Sequence, residues 1–207
     1  MKQILISLSI IGVTASLVIG GTIANFRDEE RAIGNIFQAG IINLELNDGY
    51  PGPWGDGARY TWKTAPNWSP GDTISNTLHL RNDGNINAAR LTMVTEVDVD
   101  NEIVGDGFTD ATRMDKRIIV SGMTFGGVNL LAKTGDVFTN TGIKTADVNN
   151  NQILTLDELA GITLNLSGIN VGVTKALFIR FTFDENAGPG YMGDEVEAEF
   201  TFGLHQE

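Results

Sequence analysis

The segment from residue 147 to residue 158 is the part of the chain whose residue types and spacing point most directly to chemistry. Oxygen-bearing side chains stand at its first, third, fifth, ninth and twelfth positions: Asp147, Asn149, Asn151, Thr155 and Glu158. The backbone carbonyl of Ile153 takes the seventh position. Calcium binds six to eight oxygen ligands, and a closing glutamate supplies two of them. The segment therefore predicts a Ca²⁺ site.

This spacing is that of an EF-hand-type calcium loop, with two departures. Gln152 replaces the glycine that eases the sharp bend, and the asparagines lower the negative charge. The residues after Glu158 leave room for only a turn or two of helix, and no helix is predicted before Asp147. We therefore expect an isolated calcium loop with a structural role, as in extracellular proteins. The alternative is an asparagine-rich surface turn followed by a capped helix.

A second acidic cluster is a weaker candidate for a cation site. It comprises Asp98, Asp100, Glu102, Asp106 and Asp110. The alternation of the first three would place them on one face if this stretch were a strand, but the remaining spacing matches no known binding loop. The alternative interpretation is a solvated strand edge.

Catalysis finds little support in the sequence. There is no cysteine, no Gly-x-Ser-x-Gly segment and no phosphate-binding glycine loop. The two histidines, His79 and His205, stand singly and do not form the His-Glu-x-x-His motif of zinc proteases. A zinc site from these two residues and a carboxylate is a minor alternative, and the chain is predicted not to be an enzyme.

The elements that must position these residues follow an export signal. Lys2 precedes an apolar run that ends at Ala24, and a charged cluster comes next. This pattern predicts a signal peptide over residues 1–24, cleaved between Ala24 and Asn25. The protein is then secreted or held at the cell surface, and it meets the membrane only during export. The competing interpretation is an uncleaved membrane anchor.

The composition restricts the partners of the mature chain. Cleavage removes Lys2 and no acid, so 13 basic residues remain against 26 acidic ones. A balance this acidic argues against nucleic acid and anionic membrane surfaces and is compatible with cation binding. Because the chain has no cysteine, it has no disulfides, and core packing, bound ions or assembly with neighbours must stabilise it.

Short alternating strands dominate residues 38–207, which are predicted to form one all-β domain. The pattern favours a β-sandwich with jelly-roll connectivity and minor short helices. Strands are predicted at 40–47, 73–80, 89–97, 117–120, 127–131, 175–183 and 195–202. The polar stretch 100–116 has room for a short helix. The segment 48–70, rich in Gly, Pro and Trp, is predicted to be a surface loop.

The aromatic residues of that loop raise an alternative function. Trp54, Tyr60, Trp62 and Trp68 would, if exposed, form a platform for sugars or an anchor for a neighbouring subunit. A carbohydrate- or matrix-binding module is therefore the second interpretation, with matrix polymers as partners. The same residues also suit a small satellite core that covers one end of the sandwich.

Several segments resemble one known family. Gly20–Asp28 resembles the cleavage junction of proteins processed by the SipW-type signal peptidase, with Ile23 in place of an aromatic residue. Further similar segments follow in the family's order: Phe37–Leu44, Ser69–Asp72, Leu80–Asn85 and Tyr191–Gln206. These proteins are the TasA and camelysin fibre proteins of Gram-positive bacteria and their archaeal relatives, including the bundling pilins.

The resemblance implies an extracellular filament subunit whose partners are copies of itself. Family members polymerise by donor-strand complementation, in which the mature N-terminal segment of one subunit completes the sheet of the next. In this chain the implied donor is residues 25–37, with apolar anchors Phe26, Ile33, Ile36 and Phe37. Camelysin relatives have been described as metalloproteases, so the resemblance also keeps a peptidase as a third interpretation.

Overall fold

The computed structural model describes residues 42–48, 52–56, 59–64, 68–100, 113–188, 191 and 194–206. All of them belong to one compact unit, Phe37–Glu207. The predicted signal peptide, its cleavage site and the implied donor segment 25–37 lie outside the described residues. So do Glu102, Asp106 and Asp110 of the second acidic cluster. Among the described helices, none is long and apolar enough to cross a membrane.

Two antiparallel sheets form the body of the protein. The larger sheet contains, in spatial order, β2 (Gly55–Asp56), β1 (Leu44–Asn47), β4 (Thr73–Asn82), β11 (Thr174–Phe183), β6 (Ile118–Phe125) and β7 (Val128–Asn129). The smaller sheet contains β10 (Thr163–Ser167), β5 (Arg90–Asp100), β12 (Glu195–His205) and β3 (Arg59–Lys63). A separate hairpin pairs β8 (Lys133–Thr134) with β9 (Val137–Phe138).

Helical structure is limited to three short elements in the described part of the chain. They are a 3-10 helix (Met114–Arg117), α1 (Thr141–Ala146) and α2 (Leu156–Ala160). The 3-10 helix falls at the end of the stretch where a short helix is predicted.

The hydrophobic core lies between the two sheets. On β12 the buried side chains are Val196, Ala198, Phe200 and Phe202, and the glutamates between them face outward. This alternation follows from the pleat, which sends successive side chains to opposite faces. Phe181 of β11 stacks on Phe200 across the gap, with ring centroids 6.4 Å apart. Successive long strands pass from one sheet to the other, as in a jelly roll, and the predicted all-β sandwich is confirmed.

A glycine turn leads into β4 and is tied to the end of β11. Gly71 has a φ of +90° in the turn Ser69–Asp72, a conformation that suits a type II turn with proline before the glycine. The N–H of Asp72 donates to the carbonyl of Ser69 at 2.9 Å, and the N–H of Phe183 donates to the carbonyl of Asp72 at 2.9 Å. The turn that Pro70 and Gly71 form therefore also connects the start of β4 to the end of β11, which is far away in the sequence.

The predicted surface loop at 48–70 is wrong in part, because it contains β2 and β3. Tyr60 and Trp62 alternate with polar residues and turn inward, and β3 pairs with β12 along its whole length. The surrounding glycines and prolines concealed this period of two. The short strand β10 (Thr-Leu-Asn-Leu-Ser) and the β8–β9 hairpin were likewise not predicted.

Candidate calcium loop and open sheet edge

A short helix stands on each side of the segment 147–158, which we call the calcium loop. The expectation that no helix precedes Asp147 is wrong, since α1 ends at Ala146. The side chain of Asn140 caps α1 by accepting a hydrogen bond from the N–H of Ile143 at 3.2 Å, and Ile143 and Ala146 are buried. The calcium loop is therefore flanked by two short helices, α1 and α2, as in a helix–loop–helix calcium site.

The first half of the calcium loop is folded around its own side-chain oxygens. Both carboxylate oxygens of Asp147 accept backbone hydrogen bonds, from Asn151 at 3.1 Å and from Gln152 at 3.0 Å. The amide oxygens of Asn149 and Asn151 accept from the N–H groups of Asn151 and Ile153. Gln152, at the position usually held by glycine, adopts a φ of +67°. The chain therefore makes the required bend without the glycine.

Glu158 brings the two ends of the calcium loop together. Its Oε1 accepts a hydrogen bond from the side-chain amide of Asn149 at 3.0 Å, so the third and twelfth positions meet. Its Oε2 accepts from the N–H and the hydroxyl of Thr155, which forms a capping box at the start of α2. Burial raises the pKa of the Glu158 carboxyl, and the carboxylates of Asp157 and Asp147 raise it further against the opposing Thr155 hydrogen bonds.

The calcium loop also covers the outer edge of β6. The N–H of Val120 donates to the carbonyl of Leu154 at 2.8 Å, and Ile119 forms an antiparallel bridge with Thr155. Next along the same edge, β7 pairs with Thr124 and Phe125. Lys133 of β8 donates to the carbonyl of Gln152 at 2.6 Å. The predicted metal residues are therefore integrated into the larger sheet.

In the smaller sheet, the terminal strand β3 has one strand partner in the described part of the chain, β12. The N–H of Thr64 donates to the carbonyl of Val196 at 3.0 Å. Because hydrogen-bonded and non-hydrogen-bonded positions alternate along an antiparallel pair, Tyr60 and Trp62 direct their backbone groups toward β12. The backbone groups of Thr61 and Lys63 point away from β12. We call this outward side of β3 the open edge.

A small apolar groove of about 20 Å³ opens between the sheets beside the open edge. Tyr60 and Trp62 of β3, Phe200 of β12 and Ile179 of β11 line it, with Asn76 as a polar member. The other terminal strand of the smaller sheet, β10, differs from β3, because its neighbouring cavity is lined mostly by threonines and asparagines.

The tryptophans of segment 48–70 belong largely to the interior. Trp62 is 5% exposed and packs on Phe181, with ring centroids 4.5 Å apart. Trp68 stacks on Phe183 at 5.6 Å and meets Trp62 edge-on. Trp54 is half-buried with the guanidinium of Arg81 over its ring at 4.5 Å. Trp62 therefore belongs to the main core and Trp68 packs against it, so the two do not form a separate satellite core. Trp54 carries what is left of an external aromatic surface.

The two histidines lie in different sheets. His79 is in the middle of the larger sheet on β4, and His205 is at the end of β12, where its Nε2 is 2.9 Å from the hydroxyl of Thr92. The second acidic cluster is represented by Asp98, which is exposed on β5 opposite Glu197. Within the described ranges, no three His, Cys, Asp or Glu side chains are grouped to hold a metal ion. The calcium loop is not such a group, because only two of its candidate ligands, Asp147 and Glu158, are carboxylates. Its other candidate ligands are amide, hydroxyl and backbone oxygens.

These features define an all-β sandwich in which the calcium loop covers part of the β6 edge and β3 has one strand partner in the described part of the chain. The profile of a family described as camelysin metallo-endopeptidase matches residues 1–207. The chain therefore belongs to the camelysin/TasA family, as its motifs indicate. No curated protein matches it. A peptidase metal would need a ligand set that the described residues do not assemble around His79 or His205, so we derive no catalytic step.

Proposed function

We propose that this protein is an exported subunit of an extracellular filament that polymerises by donor-strand complementation. In this assembly, residues 25–37 of one copy pair with the open edge of β3 in the next copy. The observation that carries the proposal is the open edge itself, five residues long and beside an apolar groove. An unpaired strand edge is a template for another strand, and soluble proteins normally protect it.

The chemistry of the two surfaces supports this pairing. The outward N–H and C=O groups of Thr61 and Lys63 have no strand partner in the described part of the chain and could form a ladder of backbone hydrogen bonds. The groove beside them is apolar but small, about 20 Å³, so it offers contact to part of one of the donor anchors Phe26, Ile33, Ile36 and Phe37. The other five-residue terminal strand, β10, also has one strand partner in the described part of the chain, but it is less suitable for apolar anchors because the cavity beside it is lined mostly by threonines and asparagines.

The edge can be tested by a substitution that removes one outward donor. Thr61→Pro deletes an N–H that points away from β12, a position at which a strand tolerates proline. We expect the variant to fold and to remain monomeric, whereas Thr61→Ala, which keeps the N–H, forms filaments like the wild type. Negative-stain microscopy and sedimentation of the purified proteins report the result. Filaments of normal length from a folded Thr61→Pro variant would exclude β3 as the acceptor.

The family description favours a second candidate, a metallo-endopeptidase. We propose that the chain is structural and does not cleave protein, so that purified protein shows only chelator-insensitive background activity on casein. Activity that is lost in His79→Ala or His205→Ala would establish the peptidase instead.

Trp54 is the candidate residue for a matrix-binding role. It is tested by comparing the binding of wild type and Trp54→Ala to insoluble polysaccharides. Equal binding by the two proteins would exclude Trp54 as the platform.

A further inference from the structure

We propose that the calcium loop binds one Ca²⁺ and that the ion fastens the loop to the outer edge of β6. The ligands are the side-chain oxygens of Asp147, Asn149, Asn151, Thr155 and Glu158 and the carbonyl of Ile153. This site does not depend on the filament proposal, because all of its residues lie within a single copy.

The ligand oxygens are already gathered. The hydrogen bond from Asn149 to Glu158 Oε1 places the third and twelfth positions in contact. The bonds that Asp147, Asn149 and Asn151 accept leave their oxygens with lone pairs, since a carbonyl or carboxylate oxygen accepts more than one partner. The side chain of Ile153 is exposed.

Charge burial is an independent reason to place a cation here. Asp147 and Glu158 are only 7% and 8% exposed. In the described part of the chain, no lysine or arginine forms an ion pair with either residue or with Asp157, and their partners are neutral N–H and O–H groups. A buried carboxylate that no cation compensates is unfavourable, and a divalent cation between the two removes that cost.

A further buried carboxylate lies behind α2. Asp115 is 2% exposed, and its Oδ1 has no hydrogen-bond partner among the described residues. Its Oδ2 is paired with Arg113 at 2.9 Å, and Asp115 is near enough to Asp157 for the two charges to interact. The region around the calcium loop therefore carries more buried negative charge than its protein partners neutralise.

The ion has a mechanical consequence because of where the loop lies. Leu154 follows the carbonyl ligand Ile153 directly and accepts the hydrogen bond from Val120 of β6. Thr155, a side-chain ligand, forms the bridge with Ile119. Fixing the ligands therefore also fixes the backbone that covers the β6 edge. Loss of the ion should expose that edge to local opening.

The experiment titrates CaCl₂ into the purified protein, with magnesium as the competing ion. We expect one site with a Kd on the order of 10⁻⁴–10⁻³ M, as in extracellular calcium modules, and weaker binding of magnesium. Millimolar calcium should raise Tm by about 2–4 °C and slow hydrogen exchange at the Val120 amide. No heat of binding and no Tm shift in the wild type would overturn the proposal.

Glu158→Gln is the decisive variant, because glutamine still completes a capping box and keeps the shape of the side chain. Its calcium affinity should fall by at least about 10–100-fold. This is the usual loss when a residue that only supports a metal ligand is changed, and Glu158 is itself a proposed ligand. Asn149→Ala, at an exposed position, provides a second variant that keeps the fold, and we expect weaker binding there too. The matched control is Glu185→Gln, an exposed glutamate outside the loop, which should bind like the wild type. Equal calcium responses in the wild type, Glu158→Gln and Asn149→Ala would place the ion elsewhere and overturn the site.

Discussion

The edge of β6 and the edge of β3 differ in how they are finished. Along β6, the calcium loop pairs with Ile119 and Val120, and β7 pairs with the last two residues. Along β3, the outward backbone groups have no strand beside them in the described ranges, and an apolar groove opens next to them. One edge is covered by the protein's own chain, and the other has no neighbouring strand among the described residues.

An uncovered strand edge can pair with a strand of another molecule unless it is short or charged. Under the proposed assembly, a donor segment would extend the smaller sheet at the open edge, and the calcium loop would keep the β6 edge from pairing in the same way. The following predictions test the two edges separately.

Removing residues 25–37 should have the largest effect. The truncated protein keeps the acceptor and loses the proposed donor, so we expect a folded monomer and no filaments. Microscopy and size-exclusion chromatography measure the outcome. Adding a synthetic peptide of residues 25–37 should block growth of wild-type filaments, whereas a scrambled peptide should not. Normal filaments from the truncated protein would remove this segment from the assembly.

Gln152→Gly should stabilise the covered edge. Gln152 has a φ of +67°, a conformation that costs a residue with a Cβ about 1–2 kcal/mol. Part of the gain is offset because glycine loses more entropy on folding, so we expect the free energy of unfolding to rise by about 1 kcal/mol. Chemical denaturation measures it. Gln152→Ala, which deletes the side chain and keeps the strain, should show no such gain.

The pH dependence of the free energy of unfolding should also test the region around the calcium loop. Burial raises the pKa of Asp115 above its ordinary value of 3.8, an effect that the pairing with Arg113 reduces and the charge of Asp157 reinforces. Between the ordinary and the raised pKa, the folded state holds a proton that the unfolded state releases. Stability therefore falls as pH rises through this window.

Asp115→Asn keeps the hydrogen bond from Arg113 but cannot titrate, so the free energy of unfolding of this variant should fall less as pH rises. The measurement is chemical unfolding between pH 3.5 and neutrality in a buffer that contains a chelator. An unchanged pH profile would show that Asp115 is not the group that titrates.

The smallest effect is expected at the ion pairs that flank the open edge. Arg59 lies 3.2 Å from Glu199, but its side chain is 69% exposed. Exposed pairs contribute little, so Arg59→Ala should change the free energy of unfolding by less than about 0.5 kcal/mol. Filament formation should also continue, because the variant keeps the outward backbone groups of β3. A large loss in either measurement would mean that charge, and not the backbone and Trp62, holds β3 in place.

Elements with local signals could be predicted from the sequence. The alternation of Val196, Ala198, Phe200 and Phe202 predicts a half-buried strand, and Pro70 with Gly71 predicts the turn before β4. The oxygen spacing from Asp147 to Glu158 predicts the calcium loop, because all of its candidate ligands lie within twelve consecutive residues. Such features need no knowledge of distant residues.

The surroundings of those elements depend on how the whole chain folds. The pairing of Leu154 with Val120, the burial of Trp62 and the open edge of β3 each depend on residues far apart in the sequence. A strand's period of two says which face is apolar, but it does not say which strand will lie beside it or whether any will. The covered and open edges are therefore properties of the folded chain, since they arise from pairings that form only when distant segments meet.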